Sequence, residues 1–166
     1  MSNYDVGDIE HCHDARTVDV VQEGMSLIDH LENRSLVRRC GELGIGVTIY
    51  EPLASGVLGG KSVEDVRAVW SEWADMPFYQ RLLIPGRAER SWAVVDGLRE
   101  IGERFDATVA QLSIAWVLHQ PGADCAIAGS RSGRHMRENA RAADLDISAV
   151  LDEIEQLIPR GPSFAS

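Results

Sequence analysis

Short apolar runs alternate along the chain with longer stretches in which apolar residues recur every three or four positions, the pattern of βαβ units built on a parallel sheet. Residues 18–22 read as a first buried strand, 46–50 as a second and 125–128 as a third. Residues 5–15 read as a short helix, and 33–43 as another that Gly44 ends, since glycine most readily takes the left-handed backbone of a helix C-terminus. From Glu89, the positions Trp92, Val95, Leu98, Ile101 and Phe105 form one apolar stripe. Thr108, whose hydroxyl can take up a free N–H of the first turn, starts a helix through Val109, Leu112 and Trp116 to His119, and Pro121-Gly122 stops it. Gly129 to Gly133 turns into a helix reaching about Ala143, and Ser148 caps a last one with Val150, Leu151, Ile154, Leu157 and Ile158 on one face. The segment from Lys61 to Gly86 has no period and includes Trp70, Trp73, Pro77, Phe78 and Pro85, so it reads as a long irregular loop that covers something. No repeat or linker divides the chain, and a single domain over residues 1–166 with a frayed tail after Pro159 is expected.

Composition narrows the class without changing this picture. With 45% apolar and 25% charged residues, the chain is an ordinary globular α/β sequence. No apolar run approaches the roughly 18 residues of a membrane span, and the N-terminus lacks a basic-then-apolar signal layout, so the expected location is cytoplasmic. Cys12, Cys40 and Cys125 are too scattered for a disulfide framework or a zinc or redox motif. A net charge of −10 argues against nucleic-acid or anionic-membrane binding, because both need a basic surface. Any phosphate must then be held locally. Of the 16 basic residues, the single lysine, Lys61, falls inside the most motif-like segment.

Three segments at strand ends carry a family resemblance. Met1-Ser2-Asn3-Tyr4 resembles the tail of the GVSN[FY] motif of the aldo-keto reductases. Tyr50-Glu51-Pro52-Leu53-Ala54-Ser55-Gly56-Val57-Leu58-Gly59-Gly60-Lys61 is similar to the YxPLxxGxLxGK segment of that family. Val109 to Leu118, then Ile127-Ala128-Gly129-Ser130-Arg131 and Glu138-Asn139, resemble its C-terminal helix, strand and phosphate loop. The match runs from Ser2 to about Pro159. The resemblance implies a partial (β/α)8 barrel, the C-terminal half from the end of strand 5 through strand 8, with parallel strands alternating with helices. In such barrels the chemistry sits at the C-terminal ends of the strands.

The same resemblance implies a cofactor site. Ser2, Asn3 and Gln22 match positions that hydrogen-bond the nicotinamide carboxamide, and Tyr50 matches the aromatic that stacks on the ring. Leu53, Ser55, Gly56 and Lys61 match the loop along the pyrophosphate. Gly129, Ser130, Arg131 and Asn139 match the adenosine end, where Arg131 can hold a 2′-phosphate bidentately and so favour NADP over NAD. The proton-donor tyrosine of the family and its Asp, Lys and His companions come from the first barrel half, so no catalytic residue carries over to this chain. Met25 stands where the family usually has Tyr, and His135 where it often has Gln. Met1 takes the place of the valine of the GVSNY pattern, so a gene model or gene truncation beginning at a valine-like start codon is the expected origin, for which an in-frame upstream reading frame encoding strands 1 to 5 is the test. The implied activity is reduction of aldehydes or ketones once a small carbonyl substrate and the N-terminal half are supplied. The alternative is a cofactor-binding or dimerising relic without catalysis. A half barrel leaves open sheet edges, so a homodimer or a complementing half is the expected partner.

Other motifs have duller readings. His11-Cys12-His13 are adjacent on a helix, point apart and lack further ligands, so no metal is expected. Ser55 to Ser62 approaches a P-loop, but Ser55 replaces its first glycine, which leaves a P-loop nucleotide binder as a remote alternative. Gly129-Ser130-Arg131-Ser132-Gly133 mimics a nucleophile elbow with arginine in place of the nucleophile. Trp92 and Trp116, on helical stripes, read as core.

Overall fold

A computed structural model of the chain describes residues 1–70, 84 and 86–158. Three strands, β1 (Val20–Gly24), β2 (Gly46–Tyr50) and β3 (Cys125–Ile127), form one parallel sheet in the order β1-β2-β3. Val21 pairs with Val47 and Tyr50 with both Gly24 and Ile127, so the strands end together at their C-termini. Met1 and Ser2 lie beside β1 like the start of a further parallel strand: Ser2 bridges Gln22, and the Gln22 N–H donates to the Met1 carbonyl.

Seven helices accompany the sheet among the described residues: α1 (Val6–Ala15), α2 (Arg34–Glu42), α3 (Val63–Trp70), α4 (Arg87–Phe105), α5 (Val109–Leu118), α6 (Gly133–Ala140) and α7 (Leu151–Leu157). Apolar residues of α2, α4 and α5 cover one side of the sheet, where Val21, Val47 and Ile49 are fully buried with Val37, Cys40, Val95, Leu98 and Leu112. Helix α5 is apolar nearly all round, as a helix enclosed by its neighbours must be, and Trp116 on it is completely buried. The Trp116 indole N–H donates to Glu155 of α7, and the Arg34 guanidinium of α2 pairs with the same carboxylate and lies over the ring.

The opposite side of the sheet is different. Val20, Gln22, Cys125 and Ile127 are exposed and Thr48 and Tyr50 half-buried, so each strand alternates between a covered and a bare face. Val20 and Ile127 retain 49% and 45% of their surface. Parallel sheets are normally covered on both faces.

Several sequence expectations shift by a few residues. The first strand starts at Val20, not at residue 18, because the Val18 N–H is taken by the His13 ring and so belongs to the turn out of α1. It runs on to Gly24, where pairing with Tyr50 continues. The segment expected to be irregular from Lys61 opens with α3; its later residues, including Trp73, Pro77, Phe78 and Pro85, and the tail after Ile158, lie outside the described residues. Helix α6 ends at Ala140 and tightens into a 3-10 turn over Arg141–Asp144. Ser148 is not the cap of the last helix: its N–H donates to Asp146, these hydrogen bonds hold the Asp146 carboxyl below its ordinary pKa, and α7 starts only at Leu151.

Candidate functional site

Immediately after β2 the chain enters a tight series of turns. Glu51, Ala54 and Ser55 all take positive φ, and a broken 3-10 segment covers Ala54–Gly59. Three non-glycine residues in the left-handed region within five positions mark a backbone held by its surroundings. Part of that hold is visible: Ala54 is fully buried, and the Ser55 hydroxyl donates to Glu51 Oε1 at 2.9 Å. The loop ends at Lys61, whose carbonyl accepts the Trp92 indole N–H at 3.2 Å.

Beside this loop lies a cleft of about 860 Å³, within the range of small-molecule sites. Its first wall is the turn loop, with Glu51, Leu53, Ser55, Gly56 and Lys61. Thr108 and Ala110, at the start of α5, form the second. The loop after β3 and the first turns of α6 form the third, with Gly129, Ser130, Arg131, Ser132, His135, Glu138 and Asn139. Local hydrogen bonds fix these walls. Thr108 and Gln111 cap α5 reciprocally, and the Gln111 amide also donates to the Glu138 carbonyl, tying α5 to α6. Ser132 caps α6, while its own N–H donates to Ser130 Oγ.

Eight residues singled out from the sequence therefore share this cleft: Leu53, Ser55, Gly56, Lys61, Gly129, Ser130, Arg131 and Asn139. They come from segments up to 86 positions apart, from Leu53 to Asn139, and meet where β2 and β3 end. The other four, Ser2, Asn3, Gln22 and Tyr50, form a second group on the neighbouring strand ends. Tyr50 donates its hydroxyl to Asn3 Oδ1 at 2.8 Å, and Ser2 lies in register with Gln22. Gly24 makes room for the tyrosine, since a Cβ there would stand 2.8 Å from the ring. The exposed Gln22 and the half-buried Tyr50 belong to the bare face. Tyr50 joins the two groups, because the next residue, Glu51, and its register partner Ile127 both line the cleft. Met25 is fully buried and its N–H donates to the Tyr50 carbonyl, which accounts for an apolar residue there.

The sequence reading missed Glu51, Thr108, Ala110 and Glu138 as lining, although the N-cap at Thr108 was a signal that a helix end faced this way. It also missed the polar cluster behind Tyr50. Asp29 and Arg87 form a buried ion pair at 2.7 Å, and His30 lies edge-on to the Tyr50 ring at 6.3 Å. Potential ligand atoms of Asp29, His30 and Glu51 come within 4.8 Å of one another, with the Arg87 guanidinium as the resident cation.

With this geometry in hand, relatives become informative. The aldo/keto reductase family profile matches residues 1–158. The chain belongs to the aldo/keto reductase family. It is 36% identical over 122 residues to a probable voltage-gated potassium channel subunit beta of Arabidopsis thaliana, covering 72% of this chain and 37% of that protein. It is 26% identical over 150 residues to an NADH-specific methylglyoxal reductase of Escherichia coli K12, covering 89% and 44%. A thermostable aldo-keto reductase crystallised with epalrestat superposes with a TM-score of 0.62 over 94% of this chain and 46% of that one, at 20% identity. The aldo-keto reductase α/β fold, parallel strands with helices, is therefore shared, and the chain spans less than half the length of these relatives. Membership is consistent with carbonyl oxidoreductase chemistry and a nicotinamide cofactor.

Proposed function

We propose that this chain is the C-terminal, cofactor-holding half of an aldo-keto reductase barrel, that it prefers NADP, and that aldehyde or ketone reduction requires the N-terminal half. The observation that carries this reading is the meeting of Leu53, Ser55, Gly56, Lys61, Gly129, Ser130, Arg131 and Asn139 in one cleft at the C-terminal ends of parallel strands. The donors present suit the cofactor: lysine and arginine for phosphates, and Asn3, Gln22 and Tyr50 as an amide-binding and stacking group beyond them. A bound nicotinamide supplies the hydride. This chain holds and orients it. The bare sheet face corresponds to the barrel interior, so the remaining strands and the catalytic tyrosine with its Asp, Lys and His companions would stand opposite it. In a homodimer, a second copy would take that position instead.

Titration calorimetry tests the cofactor claim. NADPH should bind more tightly than NADH, and Arg131→Ala should weaken NADPH about tenfold or more, the scale of a lost charge-assisted contact, while leaving NADH unchanged. Equal affinities in the unsubstituted protein would refute the NADP preference. Adding a separately produced N-terminal half should restore turnover of NADPH with a carbonyl panel; persistent inactivity despite cofactor binding would favour a non-catalytic binding or interaction protein. The relative named as a channel subunit, together with the bare face, supports that second reading.

A further inference from the structure

The cleft poses an electrostatic problem. The chain carries a net charge of −10, and a dinucleotide phosphate is itself multiply negative. The lining offers no surplus of positive charge, since Lys61 and Arg131 face Glu51 and Glu138. At long range, such a molecule repels the ligand the cleft is shaped to hold.

Helix α6 changes this balance. Four of the fifteen arginines, Arg131, Arg134, Arg137 and Arg141, fall within eleven residues that contain one acid, Glu138. Arg134, Arg137 and Arg141 recur at three- and four-residue spacing, so they form one stripe on α6 and the 3-10 turn after it. All are exposed, and the stripe adjoins the face that presents His135, Glu138 and Asn139 to the cleft. Elsewhere among the described residues, Arg34 is paired with Glu155, Arg39 with Glu10 and Glu42, Arg87 with Asp29, Arg99 with Asp96 and Arg104 with Glu153. On the stripe, Arg134 has only a 3.7 Å approach to Glu138, and Arg137 and Arg141 form no ion pair among the described residues. Positive charge is thus gathered on the helix whose neighbouring face forms one wall of the cleft, and charges of this kind act over roughly 10 Å at about 0.1 M salt.

We infer that the Arg134, Arg137 and Arg141 stripe is an electrostatic guide that draws a phosphate-bearing ligand into the cleft against the net charge of the molecule. This rests on the cofactor reading above. Its role is in association: Arg137 and Arg141 are outside the lining and act on the approaching ligand through space.

Stopped-flow mixing with NADPH separates the possibilities, because the two charge distributions predict opposite signs. If the stripe governs approach, the association rate falls as salt rises from about 20 to 500 mM; if the net charge governs, it rises, and the inference is overturned. The double substitution Arg137→Gln, Arg141→Gln should slow association about fivefold or more at low salt, converge with the unsubstituted protein at high salt, and leave the dissociation rate unchanged. A change confined to dissociation, or none, also overturns it. Arg16→Gln with Arg38→Gln, both exposed and outside the cleft lining, makes the same change in net charge and so controls for net charge alone: it should not slow association. Failure of NADPH to bind the unsubstituted protein at any salt would instead remove the cofactor reading itself.

Discussion

Glu23 points into the covered face of the sheet, beside Val21 and opposite Ile49, and is 3% exposed. Burial raises its pKa above the ordinary glutamate value, and the Asn3 and Tyr4 N–H groups, His30 and the N-terminal amine only partly oppose this. The folded protein therefore keeps the proton at pH values where the unfolded chain has released it. Stability from this group is fullest below the ordinary glutamate pKa of about 4.3 and declines as pH rises through the raised folded value. Glu23→Gln should flatten that decline in urea midpoints measured from pH 4 to 8; parallel profiles for the two proteins would contradict the assignment. The same residue holds together the group formed by Asn3 and Tyr50, since its Oε1 accepts the Asn3 N–H at 2.9 Å and Asn3 in turn receives the Tyr50 hydroxyl. Nothing in the sequence around Glu23 signals this, because its partners lie about 20 residues upstream and its burial depends on the helices packed over it.

Among the elements, α5 and the loop around it show where local sequence suffices and where it does not. The Thr108 N-cap, the apolar run and the Pro121-Gly122 stop were legible, and the helix spans Val109–Leu118, with Gln111 completing the cap. What fixes the loop after it is tertiary. Gly122 has φ +93, and a Cβ added there would collide with the Val37 carbonyl oxygen of α2. Gly122→Ala combines left-handed strain with a backbone clash, so it should destabilise the protein by about 2 kcal/mol or more in urea unfolding, against less than about 1 kcal/mol for Gly44→Ala, where the backbone is equally left-handed but the space is open. Similar effects at both positions would show that φ alone, and not the α2 contact, sets the cost. By the same logic, the turn loop at 51–59 could be matched to a motif, but its left-handed Glu51, Ala54 and Ser55 could not be foreseen, as none of these residue types asks for that backbone.

At the scale of the molecule, the sheet is covered on one side and bare on the other, and the three cysteines report on this arrangement. Cys125 is exposed on the bare face, Cys12 is half-buried on α1, and Cys40 is buried with its thiol pKa raised by that burial. Alkylation should follow the order Cys125, Cys12, Cys40, with Cys40 reacting only on unfolding. If a second copy covers the bare face, Cys125 should become protected as protein concentration rises. Concentration-independent reactivity would rule out self-association through this surface and leave the complementing half as its cover.

The sequence by itself determined the alternation of strands and helices and the cap at Thr108, because periodicity and N-cap hydroxyls act over a few neighbouring positions. Only the tertiary structure decided that Lys61 and Arg131 line one cleft, that Tyr50 reaches Asn3, that Glu23 and the Asp29–Arg87 pair are buried, and that one sheet face stands open. Those outcomes depend on contacts between residues 20 to 80 positions apart, whose distances are set by strand register and helix packing, and no local pattern encodes them.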